Sequence, residues 1–445
     1  VSAVELLERA RQAGARQAEL FHKRSRGREL ARDGSLAPGA PRGASLTRFE
    51  EEGSALRVRD EAGRYGLAWS AGPLDDPDAL IAAALYAARA AASAADDAAA
   101  IAPAPAGPDP DIALLRLADP EGLTLPEARL QERLAEAEQL VAEADGAVDL
   151  DRLRLGEVLT EVTLVNSEGA AIAYRRTLAT LTIAIAPMAE GARAVIEERV
   201  AVRVSDLDAR GIARDAILRA LPPRSPAAVP PDARLPVVLE PRAAATLVAV
   251  LAPLALHGAF DAAPGLAGAR SALDLSDDPT VPGAPGSAPF DGCGAPSRAI
   301  VLVEAGRTGG APREPAGRIV RASYRDRPLP GLRSLWVTAG RRTVDEPEGS
   351  SGIVLSIAAL DVAPHGRRLT IRRGDFRRGD EILAPADGLA WEGKLATLVR
   401  AIGATGDDTA TFHPGLPVTT PSLRLYGLGP WRSENPDTPS TSIRL

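Results

Sequence analysis

The stretch PPRSPAAVPP at residues 222–231 carries five prolines in ten positions. Each proline fixes φ and removes a backbone donor, so regular structure does not run through such a segment. It is the strongest boundary in the chain. It predicts an N-terminal domain over residues 1–221, with a strand-rich part from about residue 150, and a C-terminal domain over 232–445. Each is long enough to bury a core of its own. Hydrophobic residues make up 45% and charged residues 25%, the balance of a globular chain rather than a disordered or fibrous one.

The formal net charge is -7 with no extended basic stripe, which argues against nucleic acid as a partner. The single cysteine, Cys293, excludes an internal disulfide and an all-cysteine metal site. No apolar run reaches the roughly 18–20 residues that a membrane span needs. Residues 1–17 alternate Leu and Ala with Glu and Arg, unlike the apolar centre of a signal peptide. The expected setting is cytoplasmic, with no membrane association.

Hydrophobic spacing predicts a helix over 4–20 and then a strand and turn over 18–30. Lys23, Arg24, Arg26 and Arg28 read there as an anion site or, because Glu19 and Glu29 flank them, as a solvated hairpin face. Residues 55–59 and 64–70 alternate around Asp60-Glu61-Ala62-Gly63 and predict a hairpin. An Ala-rich helix follows Asp76-Pro77 to about residue 96, and 102–110 is a connector. A helix over 126–144 precedes a long strand–turn–strand over 161–186, turning at Asn166-Ser167-Glu168-Gly169. A strand over 195–204 and a helix over 206–220 complete this half.

Beyond the prolines, a short strand over 236–239 leads into an apolar helix over 242–257 that Pro253 is expected to interrupt. A Gly/Pro-rich loop occupies 279–296. Short β segments at 299–304, 334–338, 352–359 and 368–376 and a helix near 391–402 follow. The fold class is α+β, with an α/β N-terminal half and a β-rich C-terminal half.

Chemistry is sparse. The four histidines, His22, His257, His365 and His413, include no pair three or four apart that would put two ligands on one helix face. A nucleophile elbow and a Walker loop are both absent from the sequence. Cys293 lies between Gly292 and Gly294, where a flexible loop would expose its thiol as a nucleophile. Asp277, Asp278 and Asp291 read either as a carboxylate cluster or, in their Gly/Pro-rich setting, as turn caps.

Several pieces in order resemble the TldD/PmbA family, the "modulator of DNA gyrase" proteins. They are EGSALRVR at 52–59 with GRYGLA at 63–68, and VNSEG at 165–169 with Tyr174 and Thr177. SDDP at 276–279, PFDGCGAPSR at 289–298 and LVE at 302–304 with Gly306 continue the match. Asp375-Phe376, Gly379-Asp380 and PSLRL at 421–425 extend it, so that it covers about residues 15–430. The order of the pieces is more specific than any one of them. In one departure, the family's DDEG is here Asp291-Gly292-Cys293-Gly294, which implies a looser or specialised loop.

TldD-type members of that family are zinc metallopeptidases with H-E-x-x-x-H on a helix early in the C-terminal half and a cysteine ligand near the C-terminus. The histidines hold the metal and the glutamate acts as base toward zinc-bound water. With the strand at 237–239 as register, the motif positions fall on Ala249, Val250 and Leu254, and the cysteine region, 407–413, holds no cysteine. His257 and His413 are the only nearby histidines that a displaced site would use.

The resemblance therefore implies the PmbA (TldE) branch. It implies a subunit with no catalytic, cofactor-binding or metal-ligating residue of its own. Its partner would be a TldD-type H-E-x-x-x-H subunit carrying the zinc, and the heterodimer would hydrolyse unfolded or leader peptides in a shared cleft. The alternative is a stand-alone peptide-binding or regulatory protein without enzymatic activity. An independent hydrolase using Cys293 or a cryptic histidine site is a third reading.

Overall fold

The structure, a computed structural model, describes residues 2–33, 44–91, 100–101, 111–144, 147–188, 194–221, 224, 227–228, 235–256, 271–308, 319–344, 353–433 and 441–442. Its N-terminal half is built on one antiparallel sheet. The strands are β1 (Ala15–Asp33), β2 (Ala44–Asp60), β3 (Tyr65–Ala71), β4 (Val148–Asn166), β5 (Ala171–Pro187) and β6 (Val195–Ala201), in the order β3-β2-β1-β4-β5-β6. The helices are α1 (Ala3–Gln12), α2 (Pro77–Ala90), α3 (Glu127–Ala142) and α4 (Ala209–Ala220).

The period of two along each strand sends alternate side chains to opposite faces, and both faces are covered. On one, Leu20, Leu56 and Val58 pack with Leu80, Ile81 and Leu85 of α2 and with α1, while Leu155, Leu181 and Ile183 pack under α3 and α4. On the other, Phe21, Val162, Leu164 and Ile172 meet Phe290 and Tyr324 of the C-terminal half. The sheet thus lies between a helical layer and the C-terminal half.

The expected turn near residue 30 is absent, because β1 runs on to Asp33 and pairs along its length with β2 and β4. Of its cations, Arg24 and Arg26 lie on a solvated face, as expected, while Arg28 is buried. Arg24 bonds Glu50 of β2 at 2.6 Å, Arg26 reaches Glu161 of β4 at 3.7 Å, and Arg28 pairs with Glu157 at 2.5 Å with both side chains buried. Acids contributed by the flanking strands pair with these three arginines across the sheet. Upstream, α1 stops at Gln12, where Gly14 at φ 108° ends the helix. The α2 helix ends at Ala90, and residues 92–96 of the expected helix lie outside the described residues.

In the C-terminal half, α5 (Pro241–Leu256) packs against strands of two sheets. One contains Val237–Leu239, Ile353–Val362, Arg368–Arg378 and Leu423–Leu425; the other contains Leu275–Asp277, Ile300–Glu304, Leu335–Val337, Val418–Thr420 and Ala410–Phe412. Pro253 does not interrupt α5. It falls in the last turn, where only one intrahelical bond is lost, and burial of the helix outweighs that loss. The helix expected near 391–402 is a strand, Leu389–Glu392, followed by a shorter helix, Leu395–Ala401.

The two halves are clamped where α4 ends. Asp387, fully buried, accepts from Arg224 at 2.9 Å, from Arg373 at 2.7 Å and from the Gly374 N–H at 3.0 Å. Arg373 also donates to the carbonyls of Leu218 and Leu221 at 3.2 and 3.0 Å, supplying a cation and donors to the C-terminal end of α4.

Close backbone approach fixes β3 against α2. A Cβ on Gly66 would lie 2.1 Å from the Ala84 carbonyl oxygen and 2.3 Å from the Ala88 nitrogen. Gly66→Ala is expected to lower unfolding free energy by about 1–3 kcal/mol in urea titrations; an unchanged midpoint would mean that this packing is not rigid.

Candidate functional site

The positions that the resemblance singles out lie on α5 and the strand facing it. Ala243, Ala244, Ala245, Leu247, Val248, Leu251, Ala252 and Ala255 are buried in the C-terminal core, and Ala249 and Leu254 pack at its margin. The helix lies against Ala410–Phe412 and Val418–Thr420, so the fold brings together the two segments to which the resemblance assigns the ligands. Ala249, Val250 and Leu254 present only methyl groups and carbon chains. They offer zinc no donor and water no base. Among the described residues, no group of three or more His, Cys, Asp or Glu side chains comes together as a metal site.

The histidines are scattered. His22 Nδ1 is 3.0 Å from Ser54 Oγ on the N-terminal sheet, and His365 is exposed in the turn after Ile353–Val362. His413 turns to the other half of the molecule and sits 2.7 Å from Glu198 of β6. His257 lies outside the described residues.

The first turn of α5 is tied to β6 by charge. Glu197, 4% exposed, receives Arg242 of α5 at 2.5 Å and also pairs with Arg219 of α4. Arg199 pairs with Asp215 and stacks 4.3 Å from the Phe412 ring centroid. This network was not visible in the sequence, because its members come from α4, α5, β6 and a strand more than 200 residues away, with no shared motif. Burial tends to raise the Glu197 pKa, but Arg242 and Arg219 together hold it below the ordinary value. The hydrogen bond from His413 does the same for Glu198.

The Gly-flanked cysteine is not exposed, contrary to expectation. Cys293 is 2% exposed, and burial pushes its pKa up to about 12, with the Arg57 guanidinium 3.4 Å from its sulfur only partly opposing the rise. A thiol in that environment is a poor nucleophile at neutral pH. The loop is not loosened by its missing acid either. Asp291 accepts from the backbone N–H groups of Cys293 at 2.9 Å, Ala295 at 3.0 Å and Ile319 at 3.4 Å. Asp277 caps Arg333 and Ser334, and Asp278 caps Thr280, so these aspartates serve as turn and loop caps.

Comparison with known proteins follows the same lines. The PmbA/TldA metallopeptidase C-terminal domain matches residues 232–429 and the central domain of that family matches residues 120–221. The chain belongs to the PmbA/TldD metallopeptidase family. Among solved structures it is similar to a modulator of a DNA gyrase from Thermotoga maritima MSB8, with TM-score 0.73 and 17% identity over 96% of this chain and 98% of that one. It is also similar to TldE from Thermococcus kodakarensis, with TM-score 0.72 and 19% identity over 96% and 99%. A modulator of DNA gyrase from Bacteroides thetaiotaomicron VPI-5482 gives TM-score 0.72 and 19% identity over 96% and 97%. At these identities the likeness concerns the fold. No curated protein sequence matches significantly.

Two outcomes are expected. Cys293 in the native chain resists a thiol reagent at pH 8 and reacts fully in denaturant; fast native labelling would contradict its burial. Because the Glu197 and Glu198 pKa values are lowered, their stabilisation is present above the ordinary glutamate value of 4.5 and is lost as pH falls through the lowered values. Glu197→Gln is therefore expected to destabilise the chain at pH 7, with a gap that narrows on acidification, read from thermal midpoints across pH.

Proposed function

We propose that this chain is the non-catalytic, TldE-like subunit of a heterodimeric peptidase, paired with a TldD-type subunit whose H-E-x-x-x-H helix holds the zinc. The observation that carries the reading is α5, an apolar buried helix on which the positions that the resemblance assigns to the motif are Ala249, Val250 and Leu254. Family membership and the likeness to a structure named TldE support it. The substrate class is an unfolded or leader peptide, and this subunit's part is to shape the cleft in which the partner's metal works.

Physically, such a subunit contributes by exclusion and orientation. An extended peptide pairs its main chain with a strand edge while pockets read alternate side chains. A second subunit over that cleft admits unfolded chains and rejects folded ones. No atom of this chain then needs to enter the hydrolytic step, and the apolar surface of α5 is free to pack.

Co-expression with an H-E-x-x-x-H member of the family tests this. The expected result is a 1:1 complex on size-exclusion chromatography with light scattering, and chelator-sensitive cleavage of an unstructured peptide well above that of the partner alone. Absence of a complex, or equal activity with and without this chain, would favour the stand-alone peptide-binding protein.

A further inference from the structure

The face of the N-terminal sheet turned toward the C-terminal half holds a cavity of about 50 Å³, room for a few waters or one small polar group. Among its lining residues four are cationic, Lys23 of β1, Arg176 of β5, and Arg321 and Arg333 of the C-terminal half, while Asp291 alone is acidic. Asp291 already accepts three backbone N–H groups.

The cations are poorly matched by partners. Arg321 has a side chain with 0% exposure; its Nη1 donates to Glu19 at 3.1 Å, and its Nε and Nη2 are buried without a hydrogen-bond partner. Glu19 cannot fully neutralise it, because the same carboxylate also receives Arg57 at 3.0 Å. The Arg333 Nε is buried without a partner as well, its Nη2 donating to the Ile319 carbonyl at 3.0 Å. Lys23 donates to the Ala322 carbonyl, a neutral acceptor, at 2.6 Å. Arg176 forms no ion pair or hydrogen bond among the described residues; burial lowers its pKa, Tyr174 opposes this, and Arg333 adds to it. The acids that act on Lys23, Glu51 and Asp326, and the one that acts on Arg333, Asp277, lie outside the lining.

Buried guanidinium groups left without acceptors are costly. Arg321 and Arg333 both carry such nitrogens, and with Arg176 and Lys23 they bring four cations to one small cavity from segments about 300 residues apart, a lining suited to an anion. We infer that this cavity binds a small oxyanion, the carboxylate that a peptide C-terminus presents, between Arg176, Arg321, Arg333 and Lys23. Planar guanidinium forks match a carboxylate in two parallel bonds, and Phe21, whose ring centroid lies 4.2 Å from the Arg321 guanidinium, holds that group in place. The inference rests on the peptide-handling reading above, and in that reading it supplies an anchor for the substrate's end.

The test is calorimetric titration of the full chain alone, which does not depend on pairing and so separates its failure from failure of the heterodimer. Tetraalanine with a free C-terminus is expected to bind saturably, and its C-terminal amide about tenfold or more weakly. Arg176→Gln, which removes a cation without breaking an ion pair, is expected to erase that difference while leaving the thermal midpoint equal or higher. Inorganic phosphate is expected to compete with the free peptide. Equal binding of the two peptides, or a difference that survives Arg176→Gln, overturns the proposal. Phosphate binding without any binding of the free peptide overturns the assignment to a peptide terminus.

Discussion

The burial of α5 between two sheets is the constraint on which the C-terminal half depends. A helix whose sides are nearly all apolar is stable only when sheathed, and here strands of both sheets and a core that includes Trp391, Phe376 and Phe412 do the sheathing. Ionisable ligands in such a helix would require donors and partners around them, because a buried unpaired charge is costly. Methyl and isobutyl groups at 249 and 254 remove that requirement. The helix contributes packing along nearly its whole length.

Charge, in contrast, governs how the halves meet. Glu197 joins α4 and α5, Asp387 joins Arg224 and Arg373 to the end of α4, and Glu19 joins Arg57 of the sheet to Arg321. Buried pairs of this kind add little net stability over apolar contacts of the same shape, yet removing one partner is severe because the other charge is stranded. They fix the relative position of the two halves. The cationic cavity is the exception, since four cations line it and Asp291 is the one acid among its lining residues.

Much of the fold was legible in the sequence. The 55–70 hairpin, the Asn166–Gly169 turn and the helices at 126–144 and 206–220 carry local signals of alternation, turn chemistry and helical spacing. The extent of β1 was not legible, because its arginines are paired by acids on β2 and β4 whose register no local pattern reveals. Cys293 was misread for a related reason. Glycine on both sides signals a flexible turn, but the packing of Arg57 and the loop over it is a tertiary fact. That Ala249, Val250 and Leu254 carry no donor was readable because it depends on residue identity alone. The cavity was not, since Lys23, Arg176, Arg321 and Arg333 converge only after folding.

A chain with no donor at Ala249, Val250 and Leu254 of α5 is expected to hold no zinc of its own. Metal analysis of the chain purified alone, without chelator and with zinc in the growth medium, tests it most directly. Well under about one zinc per ten chains is expected, because a structural or catalytic site needs three or four converging donors. Stoichiometric zinc would contradict it and would point to His257 and His413 as the ligands to substitute first.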